Sequence, residues 1–198
     1  MKQIKVKKRC VKKMCKKIAE LSGITANELL EKMHQFDTIP VDIAKICFDM
    51  NIRIKPVDFT PLEENEEFKD QVSKRGNILG IVMVHNDDLA ILYRASDTQN
   101  RKRFTLAHEL AHCCLHMKPE DDTHIEFRTD ETSSDEKEIA ANKFAGELLI
   151  PEHSLRKMID NRHKIPSDLV NFLASIFAVS VNVMKSRLKE LEVEVTHT

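Results

Sequence analysis

Ile78-Leu79-Gly80-Ile81-Val82-Met83-Val84, then His85-Asn86-Asp87-Asp88, then Leu89-Ala90-Ile91-Leu92-Tyr93 is the stretch on which the fold turns. Two apolar, β-branched runs flank four polar residues of the kind that make turns, and this pattern predicts a β-hairpin. Directly after it, Gln99 to Met117 contains neither Gly nor Pro and is long enough for a helix, which Pro119 would close.

Outward from this centre the pattern is helical. Thr25 with Glu28 forms a capping box, Pro40 is expected to open a second helix through Ile43, Ile46 and Cys47, and a short strand is expected at Ile52 to Val57. Downstream, Glu120 to Thr132 is acidic and reads as a loop, and Ser133 with Glu136 suggests another capping box, opening a helix that Pro151 stops. Shorter helices are expected at Ser167 to Ala178 and Val181 to Leu191. Helices, a small mixed sheet and more helices are the order of an α+β domain. The expected divisions are a basic segment over 1–24, a core over 25–151 and a helical part over 152–198 packed on that core.

The chain has 198 residues, enough for one good core and crowded for two full-sized domains. Its 31 Lys and Arg nearly cancel its 32 Asp and Glu, so bulk charge selects neither nucleic acid nor membrane as partner. Lysines continue through Lys17 where a secretory signal would need an apolar stretch, and no apolar run approaches the length of a membrane span. Five cysteines without disulfide-scaffold spacing read as reduced thiols, and a cytoplasmic location is expected.

The chemistry lies on the helix after the hairpin, in His108-Glu109-Leu110-Ala111-His112. Residues four apart on a helix lie about 40° apart in azimuth and one turn apart in height, so both imidazoles can reach one metal ion. Glu109, at the edge of that arc, can reach a water at the ion's open position without being a ligand. The helix is apolar nearly all round, through Phe104, Leu106, Ala107, Leu110, Ala111, Cys113 and Cys114. Buried imidazoles and a buried carboxylate need partners, which a shared ion supplies.

A tetrahedral catalytic site needs a third protein ligand. His116 lies about 12 Å along the axis from His108, too far to share an ion. The longer histidine motif fails too, because Leu115 and Lys118 stand where it needs Gly and His. Glu138 lies on the apolar stripe of Ala141, Phe144, Ala145, Leu148 and Leu149 and is preferred to Glu136, which points well round the helix. Two imidazoles, a carboxylate and an open position suit Zn2+. Asn142, one turn after Glu138, is placed to hydrogen-bond a ligand, or is simply a polar residue at a helix edge. Tyr93, His116, His124 and His153 are candidates to stabilise an oxyanion. Leu89 to Tyr93 could be an edge strand that pairs with an extended peptide, or a strand buried in its sheet.

Two long motifs, Arg103-Phe104-Thr105-Leu106-Ala107-His108-Glu109-Leu110-Ala111-His112 and Glu138-Ile139-Ala140-Ala141-Asn142-Lys143-Phe144-Ala145-Gly146-Glu147-Leu148-Leu149-Ile150-Pro151, resemble the ImmA/IrrE metallopeptidase family. With Ile39 to Ile43 and Phe177 to Ser180, the resemblance spans roughly Thr25 to Leu191. It implies a zincin-like fold, zinc on His108, His112 and Glu138, and cleavage of helix-turn-helix repressors that control mobile elements or stress genes. The chain departs from the family pattern mildly, at Ala111, where Gly is frequent, and at Ile150, where Met is frequent.

A DNA-binding regulator is the rival expectation, because Leu169 to Leu191 has the look of a helix-turn-helix. Its charge balance is near neutral where phosphate binding wants a basic face, so nucleic acid is not favoured as partner. A pseudoenzyme that binds a protein partner without cutting it is a third possibility, against which the intact Glu109 argues.

Overall fold

Local capping chemistry sets where the elements begin. Thr25 and Glu28 do form a reciprocal capping box, opening α1 (Ala26–Lys32). The second helix starts later than Pro40 suggested: Asp42 is the N-cap, accepting from the Lys45 amide, and α2 runs Ile43–Asp49. Pro40, whose bond to Ile39 is cis, precedes that N-cap and belongs to the approach to the helix. The computed structural model describes residues 21–65, 77–85, 88–117, 123–129 and 135–196. The expectations for the Lys-rich start, the turn at Asn86 and Asp87, Pro119 and Ser133 lie outside them.

After α2 come β1 (Arg53–Val57), the short α3 (Thr60–Glu63), and the hairpin of β2 (Ile78–His85) and β3 (Asp88–Arg94). Thr98 caps the long α4 (Gln99–Leu115), which carries both histidines. Then follow β4 (Thr123–Thr129), α5 (Glu136–Leu149), α6 (Glu152–Met158), β5 (Lys164–Pro166), α7 (Ser167–Ile176), α8 (Val181–Glu190) and β6 (Glu194–Thr196). The N-cap of α5 is Asp135, whose side chain accepts from the Lys137 amide at 3.0 Å.

The sheet order is β1-β3-β2-β4, with β1 parallel to β3 and the other pairs antiparallel. Of the two alternatives for Leu89 to Tyr93 the interior strand holds, because β3 lies between β1 and β2. One expectation is corrected here. The acidic stretch read as a loop contains β4, which forms one outer edge of the sheet.

Alternation gives the sheet two faces. Val82, Val84, Leu89 and Ile91 pack against the helices in the main core, while Ile81, Met83 and Leu92 point the other way, toward Phe59 and Leu62. A groove of about 950 Å³ on that second face is lined by Phe48, Lys55, Met83 and Leu92 among others, and by no residue of α4 or α5.

The main core runs without a break from Leu21 to Val193, so the C-terminal helices share it. Arg187, only 5% exposed, donates from Nε to the Ile150 carbonyl at the end of α5. Asn100 and Arg103 of α4 donate to the Val179 and Ala178 carbonyls in the turn between α7 and α8. Among the described residues no single helix is long and apolar enough to cross a membrane.

Candidate metal centre

α4 is buried from Thr105 through Cys114, with α5 on one side and the sheet on another. Side chains four apart stack on one face of a helix, so α4 presents two functional ridges. His108 and His112 turn toward α5. Thr105 and Glu109 turn toward β2, where the position of a Cβ on Gly80 would lie 2.6 Å from both Glu109 Oε1 and Thr105 Cγ2.

The α5 side of the helix collects three donors. His108 Nε2 and His112 Nε2 are 2.9 Å apart, and they stand 3.1 and 3.2 Å from the two carboxylate oxygens of Glu138. Donors about 2.0–2.1 Å from a tetrahedral ion stand roughly 3.3 Å from one another. The group therefore needs little adjustment to close on a metal. Among the described residues this is the cluster that could hold one, and neither Glu136, Glu109 nor His116 belongs to it.

Asn142 gives the cluster its polarity. Its Oδ1 lies 2.9 Å from His108 Nδ1, and an amide oxygen can only accept, so the proton sits on Nδ1. In the neutral ring Nε2 then aims a lone pair at Glu138 and His112. Lone pairs at such distances repel unless a proton or a cation lies among them. With protons in that role, hydrogen bonds from His108, then from His112, hold the Glu138 carboxyl far below the usual carboxylate range. A divalent cation would satisfy all three donors together, and the donor set of two imidazoles and a carboxylate fits zinc.

Burial grades the site from closed to open. His108, Glu109 and His112 are at most 1% exposed, whereas the Glu138 side chain keeps 22%. The cluster is thus reached from the Glu138 side. His116, one turn beyond His112, sets its ring 5.3 Å from that of His112 and tilted to it by 58°, with Nε2 3.1 Å from the Lys137 carbonyl. It ties the end of α4 to the first turn of α5, beside Glu138.

Of the other oxyanion candidates, Tyr93 stands opposite Gly80 in the pairing of β2 with β3. It packs on the core from β3, and His153 stacks on Phe36 at 3.7 Å with Nε2 2.9 Å from Ser154 Oγ. The His124 side chain lies outside the described residues.

Reading the sequence alone missed Gly80. A glycine inside an apolar strand marks a bulge or a close backbone approach, and that signal was present.

A family model described as Peptidase_M78, IrrE N-terminal-like domain, matches residues 80–189. No curated protein matches the chain. The matched span runs from Gly80 through the two helices that carry His108, His112 and Glu138 and into α8.

Proposed function

The chain belongs to the Peptidase_M78 family, the IrrE N-terminal-like metallopeptidase domain, and from that premise we propose that it is a zincin-like, zinc-dependent endopeptidase with selective intracellular substrates. The observation that carries this reading is the convergence of His108, His112 and Glu138 to within 3.2 Å, with Glu109 on the same buried helix but outside the donor set.

His108, His112 and Glu138 would hold the zinc, and Asn142 keeps the His108 tautomer that a ligand requires. When bound, zinc supplies Lewis acidity toward a peptide carbonyl and brings the pKa of a water toward about 7. Glu109 takes the proton of the attacking water on a carboxylate oxygen and passes it to the leaving amine, with no covalent link between chain and substrate. Its complete burial keeps bulk water from competing for that proton.

The two edges of the sheet differ as platforms for an extended substrate. β1 carries Pro56, which lacks an amide hydrogen and interrupts any added strand. Among the described residues β4 pairs with β2 on one side only, and the register sets Arg128 opposite Gly80, the residue that abuts Glu109. A substrate segment that adds to the outer edge of β4 would lie one strand from the catalytic ridge.

A protein substrate with an exposed or locally unfolded segment suits this edge, and a helix-turn-helix repressor in the cytoplasm is the proposed one. Incubation with candidate repressors and mapping of the products by mass spectrometry should give one or two cuts. Rapid cleavage of casein at many sites, with repressors left intact, would overturn the selectivity and leave the metal chemistry standing.

One observation favours a second reading, binding of DNA: α7 and α8 are bent by 109°, within the range of helix-turn-helix pairs. Against it, the turn between them is held on α4 by Asn100 and Arg103. Salt-dependent retention of duplex DNA by the full chain would support it.

A further inference from the structure

Between Ile78 and Gly80 the pairing of β2 with β4 slips: Ile78 stands opposite Thr129 and Gly80 opposite Arg128, so β2 spends two residues where β4 spends one. The strand is bulged at Leu79, and the slip is visible in the packing. In a regular strand Ile78 would share a face with Gly80 and Val82, yet it packs with Ile81 in the cluster on the opposite side.

Such a defect needs partners for the backbone groups it takes out of the ladder. Pairing of β2 with β3 reaches only to Gly80, and beyond it a side-chain pair takes over. The Ile78 amide donates to Glu63 Oε1 at 2.7 Å, and the Ile78 carbonyl accepts from Arg94 Nε at 2.8 Å. Glu63 and Arg94 are themselves ion-paired, and both are largely buried. The bulge is therefore pinned from α3 and from the end of β3.

The pinned backbone ends at Gly80, against the Thr105 and Glu109 ridge of α4. A side chain of even one carbon would overlap both residues, since its Cβ would sit 2.6 Å from Glu109 Oε1 and 3.1 Å from Glu109 Cδ. Glu109 Oε1 rests against the space that carbon would need. We infer that the bulge at Leu79 and Gly80, fixed by Glu63 and Arg94, is the shelf that positions the Glu109 carboxylate, with Gly80 as the positioning residue. This rests on the proposed roles of Glu109 and of the metal cluster. The shelf acts only on the direction of the carboxylate, because the three donors lie on the other ridge of α4.

The test uses the full chain loaded with cobalt, with acetohydroxamate as probe. A hydroxamate chelates the metal and donates a hydrogen bond to a carboxylate beside it, so its affinity reports where Glu109 points, without a protein substrate. Wild type, Gly80→Ala, Glu109→Gln and the double variant are compared by visible absorption of the cobalt.

Gly80→Ala is expected to keep about one cobalt per chain and to bind the probe roughly tenfold more weakly, the size of one lost charge-assisted hydrogen bond. In the Glu109→Gln background the same change should cost nothing further. Wild-type affinity in Gly80→Ala, or penalties that multiply in the double variant, would overturn the shelf. A wild-type chain that takes up no cobalt would overturn the metal reading, and the shelf with it. Full affinity in Glu109→Gln would overturn the role of Glu109 while the metal site stood. Should Gly80→Ala fail to fold, the variant that adds Thr105→Ser removes the Cγ2 overlap, retains the carboxylate overlap, and is read in the same way.

Discussion

The two ridges of α4 are one turn of sequence apart and solve different problems. The His108 and His112 ridge meets α5 through charge and lone pairs, at 2.9–3.2 Å, and Asn142 settles the proton. The Thr105 and Glu109 ridge meets β2 through shape, where Gly80 leaves out a side chain. On the proposed reading, holding a metal and moving a proton fall to separate neighbours of one helix. The two can be broken independently.

The largest effect is expected from Glu109→Gln. The amide keeps the shape and cannot accept a proton, so hydrolysis should fall by about 10²–10⁴-fold while zinc content stays at wild type. Metal loss in this variant would mean that the ridges do not divide the work as described.

On the other ridge, Glu138→Ala should weaken zinc retention by more than about 100-fold, beyond the range typical of residues outside the ligand set. Glu136→Ala, on an exposed residue, should change it little. Equal retention in the two variants, measured by equilibrium dialysis, would remove Glu138 from the site. Asn142→Ala comes next. It frees the His108 tautomer and should cost about 10–100-fold in zinc affinity, with the fold unchanged by circular dichroism. A wild-type affinity would show that the amide only fills a helix edge.

Much of the placement of these side chains was legible in the sequence, because it follows from spacing. The 108 and 112 pair, Glu138 on its stripe and Asn142 one turn later require only helical periodicity, and the hairpin required only two apolar runs with a turn between. What the spacing could not show depends on partners distant in sequence. The bulge at Leu79 is fixed by Glu63 and Arg94, on either side of it in the chain, and no local pattern announces that pairing. β4 was hidden by its acidic surroundings, although Ile125 and Phe127 alternate with polar residues in the period of a half-buried strand. Whether Leu89 to Tyr93 was an edge or an interior strand stayed open in the sequence because order within a sheet is a matter of topology, and β1 returns to cover β3.

The smallest expected effect belongs to two buried thiols that serve neither ridge, Cys47 on α2 and Cys114 on α4. Burial pushes the Cys47 and Cys114 thiols up to about 12. An unfolded thiol releases its proton near pH 8.5, so between there and about 12 the unfolded chain binds fewer protons than the folded one. Each thiol therefore contributes stability that is fully present below about pH 8.5 and is lost as pH rises through this window. The denaturation midpoint should fall between pH 8.5 and 10.5, and fall less in a Cys47→Val, Cys114→Val variant. Parallel slopes would mean that these thiols titrate normally.

The most direct test of a metal-dependent peptidase is a zinc add-back titration on chelator-treated chain, with repressor cleavage as the readout. Removal of the metal should abolish cleavage, about one equivalent of zinc per chain should restore it, and Glu109→Gln should take up the same equivalent and recover nothing. Cleavage that survives metal removal, or that zinc restores in Glu109→Gln, would contradict the account.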